Sequence, residues 1–228
     1  MMRNMKWYVA VFCLVCSGTV LSSTLFSSSN KNDLTQFDFP FLLGDWYLVN
    51  ADPEDSSQDF TSIHLTLSSS YTFAVQIEKR DSSVEYWEGG YAANQDTLTL
   101  GVKSVTPQVY SYVSTHNRLM LNGVTFFKAL SRSLVGYWQS QSLSGSELDE
   151  VGVTQIQLVL QPDFLFFIRS SDDRGHEVVH NGVYYTENDH LVLLYEQGEH
   201  DTRFHINSDQ LTLNFENGAM VAVLNRVQ

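Results

Sequence analysis

The sequence predicts an all-β protein made of two tandem, small, antiparallel up-and-down β-barrels. Two observations carry this prediction. Apolar residues alternate with polar ones along most of the chain, which is the period-two pattern of half-buried strands. The chain also repeats itself with a period of 92 to 94 residues, and a repeat of that length indicates two copies of one structural unit. The elements follow below in chain order.

Residues 1–23 are predicted to be a secretory signal peptide. Residues 1–6 carry two positive charges, residues 7–16 are uninterruptedly apolar, and the stretch up to Ser23 is small and weakly polar. Cleavage after Ser22 or Ser23 leaves a small residue at the cut. The expected location is therefore the periplasm or the medium.

The two cysteines, Cys13 and Cys16, both lie inside this segment, so the sequence predicts an exported chain without a disulfide. An alternative is a lipoprotein anchored through Cys16, because a cysteine directly follows the apolar run. Val15 is larger than the small residue that such a cleavage site prefers, which favours simple cleavage.

Residues 24–40 are expected to form a flexible lead-in, since they begin with a stretch rich in Ser and Asn. No stretch after residue 23 approaches the ~20 apolar residues of a membrane-spanning helix, so none is expected once the signal is removed.

The two copies are predicted to span 41–132 and 133–228. Their matches form an ordered series: Leu43-Gly44-Asp45-Trp46 with Val135-Gly136-Tyr137-Trp138, Ile63–Leu67 with Ile156–Leu160, Tyr71–Val75 with Phe164–Ile168, Gly89, Tyr91, Leu98 and Leu100 with Gly182, Tyr184, Leu191 and Leu193, and Leu130-Ser131-Arg132 with Leu224-Asn225-Arg226. Only residues 133–135 separate Arg132 from Gly136, and so short a link predicts a rigid pair of barrels.

Each copy divides into about eight short strands, which is the number that closes a small barrel. The first copy predicts strands at 44–49, 62–68, 71–79, 84–93, 97–103, 109–116, 118–122 and 124–130. Tight turns such as Asn94-Gln95-Asp96 separate them and favour an antiparallel meander.

A Gly-x-Trp on the first strand and an Arg on the last strand resemble the pattern of the lipocalins and the wider calycins. The matching residues are Gly44, Trp46 and Arg132 in the first copy and Gly136, Trp138 and Arg226 in the second. The resemblance implies that each Arg lies across its Trp and closes one end of the barrel. A tryptophan ring face attracts a guanidinium by ~0.5 to 2 kcal/mol.

The net charge and the motifs limit which partners, cofactors and reactions we expect. The net charge is −13, and phosphate binding needs a basic surface, so we expect no nucleic-acid partner. The acidic loops at 50–59 and 147–150 lack the spacing of a calcium loop, and His176 and His180 do not share a helical face, so we expect no metal or cofactor. No Gly-x-Ser-x-Gly elbow is present, and no catalytic residue is assigned.

His180 is a candidate for a small polar pocket in the second barrel, because it replaces Trp87 of the first copy on the inward face. A histidine that is hydrogen-bonded within the core is the alternative interpretation.

A candidate partner patch emerges from comparing the outward faces of the two copies, with Tyr71, Phe73, Val75, Leu98 and Leu100 taken as inward. The outward positions of the second copy are larger and more apolar than those of the first: Leu165, Phe167, Val183, Tyr185, Val192 and Leu194. Contiguous apolar surface usually marks an interface. The patch is expected to meet either the first barrel, a second copy or a different protein.

The sequence therefore predicts an exported, non-catalytic protein-interaction module of the bacterial cell envelope. Its expected partner is another envelope or secreted protein, or itself. The first alternative is a carrier of a small apolar ligand, and a hydrolase or an inhibitor of an exported enzyme is the second.

Overall fold

The computed structural model describes residues 34, 37–54, 58–129, 133–146, 148, 152–215 and 218–227. The predicted signal peptide, the lipidation alternative at Cys16 and Arg132 lie outside these residues. The part of the chain that is described contains no helix long and apolar enough to cross a membrane.

The first barrel is a closed, eight-stranded antiparallel meander that follows a single 3₁₀ turn at Pro40–Leu42. Each strand pairs with its sequence neighbours, and β1 closes the barrel by pairing with β8. The strands are β1 (Gly44–Val49), β2 (Ser62–Leu67), β3 (Thr72–Glu78), β4 (Val84–Ala93), β5 (Thr97–Leu100), β6 (Gln108–Ser114), β7 (Arg118–Leu121) and β8 (Val124–Lys128).

The second barrel repeats this topology, and β16 pairs with β9 to close it. Its strands are β9 (Gly136–Ser144), β10 (Val153–Leu160), β11 (Leu165–Asp172), β12 (Glu177–Glu187), β13 (His190–Tyr195), β14 (Gly198–Asn207), β15 (Gln210–Phe215) and β16 (Met220–Val227). The predicted all-β fold of two tandem antiparallel barrels is confirmed, and the predicted strands of the first copy agree with the structure to within a few residues.

The repeat extends to backbone details. The turn before β3 and the turn before β11 both hold a bulky aromatic residue at positive φ, Tyr71 at 58° and Phe164 at 68°. Non-glycine residues rarely adopt this conformation. In each barrel a buried tyrosine donates its hydroxyl to a carbonyl of that turn, Tyr91 to Ser68 and Tyr184 to Gln161. Tyr71 therefore belongs to a turn and is 42% exposed, unlike the inward position assigned to it from alternation.

Each barrel encloses its own core of inward-facing side chains. The first core contains Trp46, Leu65, Leu67, Phe73, Tyr91, Leu98, Leu100, Tyr112, Leu119 and Phe126. The second contains Trp138, Ile156, Leu158, Phe166, Tyr184, Leu191, Leu193, Leu211, Leu213 and Leu224. Large aromatic and aliphatic groups occupy both interiors, as expected where strands alternate inward apolar and outward polar residues.

Candidate functional site

In the second barrel, Trp138 and Arg226 are register partners on β9 and β16. The Arg226 guanidinium lies 4.1 Å from the centre of the Trp138 ring, and it donates hydrogen bonds to the carbonyls of Val135 and Ser133 and to Asp209. Gly136 has a φ of +152°, and a Cβ there would lie 2.3 Å from the guanidinium, so this close approach requires glycine.

The first barrel has a lysine at the equivalent place. Lys128 on β8 is the register partner of Trp46 on β1, and its Nζ lies 4.8 Å from the Trp46 ring centre. Arg132, to which the repeat assigned this role, lies outside the described residues. The indole nitrogens of both barrels make the same bond, Trp46 to the Leu42 carbonyl and Trp138 to the Leu134 carbonyl. Lys128 is therefore the cation that corresponds to Arg226.

The Lys128 amine is deeply buried where the two barrels meet. Two rings of the second barrel cover it, Phe164 with its centre at 5.6 Å and Tyr185 with its centre at 5.8 Å from Nζ. Among the described residues Nζ has no hydrogen-bond acceptor. Burial lowers the pKa of Lys128 to about 7, and the nearby Asp45 carboxylate opposes this shift more weakly.

Desolvation decides the charge of this amine. Removing an ammonium from water costs several kcal/mol unless hydrogen bonds replace the lost hydration. A favourable ring contact returns ~0.5 to 2 kcal/mol, and two of the three rings lie close to the ~6 Å limit of that attraction. The neutral amine is consequently favoured in the closed junction.

Half of the patch predicted on the second barrel is covered by the chain itself. Tyr185 and Val192 point outward from their barrel, yet they are 1% and 0% exposed, because Leu34 and Leu43 pack on them. Phe37 and Leu194 pack against the edge of this cluster. The other three patch residues, Leu165, Phe167 and Val183, are half-buried. Leu43 belongs to the first copy, as in the alternative in which the patch packs against the first barrel, whereas Leu34 and Phe37 belong to the lead-in.

Leu34 is held by both of its backbone groups. Its N–H donates to the Asp201 carboxylate at 2.9 Å, and its carbonyl accepts from the Tyr185 hydroxyl at 3.0 Å. Asp201 also contacts Nδ1 of His190 at 2.8 Å. Leu34 and Phe37 are packed side chains, unlike the flexible lead-in that the composition of residues 24–40 suggests, because the second barrel supplies an apolar surface and two polar anchors for them.

A contiguous apolar surface lies on the first barrel instead. We call Tyr47, Val113, Met120 and Phe127 the barrel-1 apolar face; their exposed fractions range from 38% to 59%. Val113 pairs with Met120 across β6 and β7, and Phe127 pairs with Tyr47 across β8 and β1. Met120 and Phe127 are diagonal neighbours. The four side chains therefore cross four consecutive strands.

Two polar side chains and a groove border this face. His64 stacks on Tyr47 with the ring centres 4.2 Å apart, and the Arg118 guanidinium lies 5.8 Å from the Phe127 ring centre. An open groove of about 470 Å³ runs beside Val113, between residues 38–41 and 112–114. The comparison of copies missed this face because it covered only the strands equivalent to β3, β4 and β5. The available signal was adjacent apolar pairs along β6 to β8, since Val113, Met120 and Phe127 directly follow the inward Tyr112, Leu119 and Phe126.

His180 lies in the second barrel beside two further polar rings. Its ring centre is 4.8 Å from Tyr195, and Tyr195 is 5.7 Å from His200. Burial, and then the nearby His180, lower the pKa of His200 to about 4. The equivalent place in the first barrel holds Trp87, packed edge-on against Phe73. The second barrel thus has a cluster of polar rings where the first has a pair of apolar rings.

Two further histidines contact carboxylates. His176 contacts Asp172 at 2.8 Å and His64 contacts Asp45 at 2.9 Å, both at the surface. No group of three or more His, Cys, Asp or Glu side chains within the described ranges is placed to hold a metal ion.

Comparison with known proteins gives little further information. No protein-family model and no curated protein matches the chain. A solved structure of a protein of unknown function from the DUF3598 family of Nostoc punctiforme PCC 73102 is 14% identical and covers 82% of this chain and 97% of that chain, with a TM-score of 0.24. A likeness at that score carries no argument about function.

Proposed function

We propose that the protein is an exported, non-catalytic binding protein of the bacterial cell envelope, that its barrels are of the lipocalin type, and that the barrel-1 apolar face binds another exported protein. The observation that carries this proposal is the row of exposed side chains from Val113 to Tyr47. Apolar surface that is contiguous over several strands usually marks an interface.

The position of the proposed site differs from the patch on the second barrel. Tyr185 and Val192 are covered by Leu34 and Leu43 and are unavailable to a partner in this arrangement. Among the described residues, twelve of the fifteen large apolar side chains that stand exposed belong to the first barrel, which favours that barrel as the binding unit.

Charge favours a different protein over a second copy of this chain. With a net charge of −13, two copies repel each other at long range. The partner is therefore expected to combine an apolar centre with basic flanks. Filled interiors support surface binding over the carriage of a small apolar ligand, since a carrier needs an empty cavity.

Site-specific crosslinking tests the proposal. A photo-crosslinking residue at position 127 should capture one protein species in native envelope extract, whereas the same residue at position 178 on the second barrel should not. Val178 and Val179 are exposed to a similar degree as Met120 and Phe127, so they provide a matched control.

The double variant Met120→Ser with Phe127→Ser should weaken the affinity for the partner at least tenfold and leave the thermal midpoint unchanged. The control double variant, Val178→Ser with Val179→Ser, should change neither quantity. Equal capture from both positions would contradict the proposal. Tight binding of an apolar dye that the Met120 and Phe127 variants leave intact, without any protein crosslink, would favour the carrier instead.

A further inference from the structure

Lys128 lies at the contact between the barrels, and side chains of both barrels shield its amine from water. Trp46 covers the amine from the first barrel, and Phe164 and Tyr185 cover it from the second. Tyr185 also fixes Leu34 through its hydroxyl. Separating the barrels at this point removes two of the three covering rings, so water then reaches the amine.

The groups that face Lys128 are few. Asp45 on β1 is the nearby carboxylate, and it is half exposed. Tyr185 on β12 is titratable, and its hydroxyl is engaged with the Leu34 carbonyl. Trp46 and Phe164 carry no charge. Within the described part of the chain, Nζ therefore has ring faces and one screened carboxylate around it, and no hydrogen-bond acceptor.

We propose that Lys128 is a proton-sensitive latch between the two barrels: the neutral amine packs in the closed junction, and the ammonium favours a separated junction in which water solvates it.

The second barrel shows why a cation at this place need not act in this way. Arg226 has the same position relative to its tryptophan, but two carbonyls and Asp209 accept its hydrogen bonds. A guanidinium also stays protonated at every accessible pH. Lys128 differs from Arg226 in three ways. Within the described residues its amine has no hydrogen-bond acceptor, two rings of the other barrel cover it, and its side chain can lose its proton.

The direction of the effect follows from linkage. Opening returns the pKa of Lys128 from about 7 towards its ordinary 10.5, so opening takes up a proton between these values. The equilibrium constant for opening should then fall about tenfold for each unit of rising pH within this window. Below pH 7 the amine is charged in both states, so the equilibrium constant for opening stays at its highest value and no longer depends on pH.

Nuclear magnetic resonance of protein labelled at lysine Cε tests the first step directly, because the chain has only five lysines. The Lys128 signal, identified by its loss in Lys128→Met, should titrate near pH 7, well below the ordinary lysine pKa of 10.5. A Lys128 signal that titrates with the others would overturn the proposal, and this measurement needs no variant to be stable.

Thermal unfolding between pH 6 and 10 tests the consequence. Lys128→Met should raise the midpoint by about 5 °C at pH 6, and this gain should shrink as pH rises. Arg226→Met is the control and should lower the midpoint by a similar amount at every pH. Amide hydrogen exchange of Leu34 and Phe37, corrected for its intrinsic pH dependence, should slow as pH rises in the wild type and should not change with pH in Lys128→Met. A wild-type junction whose corrected exchange is the same at pH 6 and 9 would refute the latch.

Discussion

Two of the side-chain differences between the copies place a different polar group in one barrel than at the equivalent position of the other. Lys128 stands where the second barrel has Arg226, and His180 stands where the first has Trp87. The second replacement was evident from the repeat. The first was hidden because Leu130-Ser131-Arg132 resembles Leu224-Asn225-Arg226 in letters, whereas the structure aligns residues 126–128 with 224–226.

Acid should destabilise the protein through His200. Its pKa of about 4 in the fold lies below the ordinary 6.5, so the unfolded chain binds more protons between these values. The stability that comes from keeping this ring neutral is complete above pH 6.5 and is lost as pH falls towards 4. We expect a loss of about 2 kcal/mol in the free energy of unfolding from this residue, measured by urea denaturation at pH 7 and pH 4.5.

His200→Leu should reduce that acid-dependent loss. His205→Leu, which replaces an exposed histidine of the same strand, should retain it and is the matched control. If His200→Leu loses as much stability on acidification as the wild type, His200 is not the responsible group.

Strands were the most predictable level of organisation. Alternation located the strands of the first barrel because each buries one face, and a register error would have exposed Phe73, Leu98 and Leu100 together. The barrel-1 apolar face was less predictable, because β6 to β8 present apolar residues on both faces. Where both faces are apolar, periodicity alone does not say which residues another element will cover.

Two equivalent glycines should respond differently to the same change. A Cβ on Gly182 of β12 would lie 1.9 Å from the Leu194 carbonyl oxygen, which is backbone, whereas a Cβ on Gly89 of β4 would lie 3.2 Å from an edge of the Phe73 ring. We expect Gly182→Ala to lower the free energy of unfolding by about 3 kcal/mol and Gly89→Ala by about 1 kcal/mol. Equilibrium denaturation of both variants decides this, and equal losses would contradict it.

At the scale of the whole molecule, the two barrels are joined by more than the short link between them. Leu34, Leu43, Tyr185 and Val192 form a third apolar cluster, and the Ser69 amide donates to the Glu187 carboxylate across the junction. The short link in the sequence predicted a rigid pair. The cluster itself could not be predicted, since it joins outward-facing residues of the second barrel to Leu34 of the lead-in and to Leu43, which directly precedes β1.

Tyr185 should therefore control the junction. Tyr185→Phe removes one hydrogen bond and should cost about 1 kcal/mol, whereas Tyr185→Ser opens the cluster and uncovers Lys128 and should cost about 3 kcal/mol or more. Limited proteolysis should cut Tyr185→Ser within residues 34–43 faster than the wild type. Tyr86→Ser, at an exposed tyrosine, is the control. Unchanged cleavage in Tyr185→Ser would show that the cluster does not hold the lead-in.

The anchoring of Leu34 also sets an order of events during synthesis. Leu34 leaves the ribosome before either barrel exists, but its two hydrogen-bond partners lie 151 and 167 residues further along the chain. Contacts over such separations form late, because the intervening chain must first be ordered. The strands of the first barrel are complete once β8 is made, yet its lead-in stays unanchored until β14 is made and folded. A chain interrupted before Asp201 would therefore carry Leu34 and Phe37 as uncovered apolar groups, available to a chaperone or a protease.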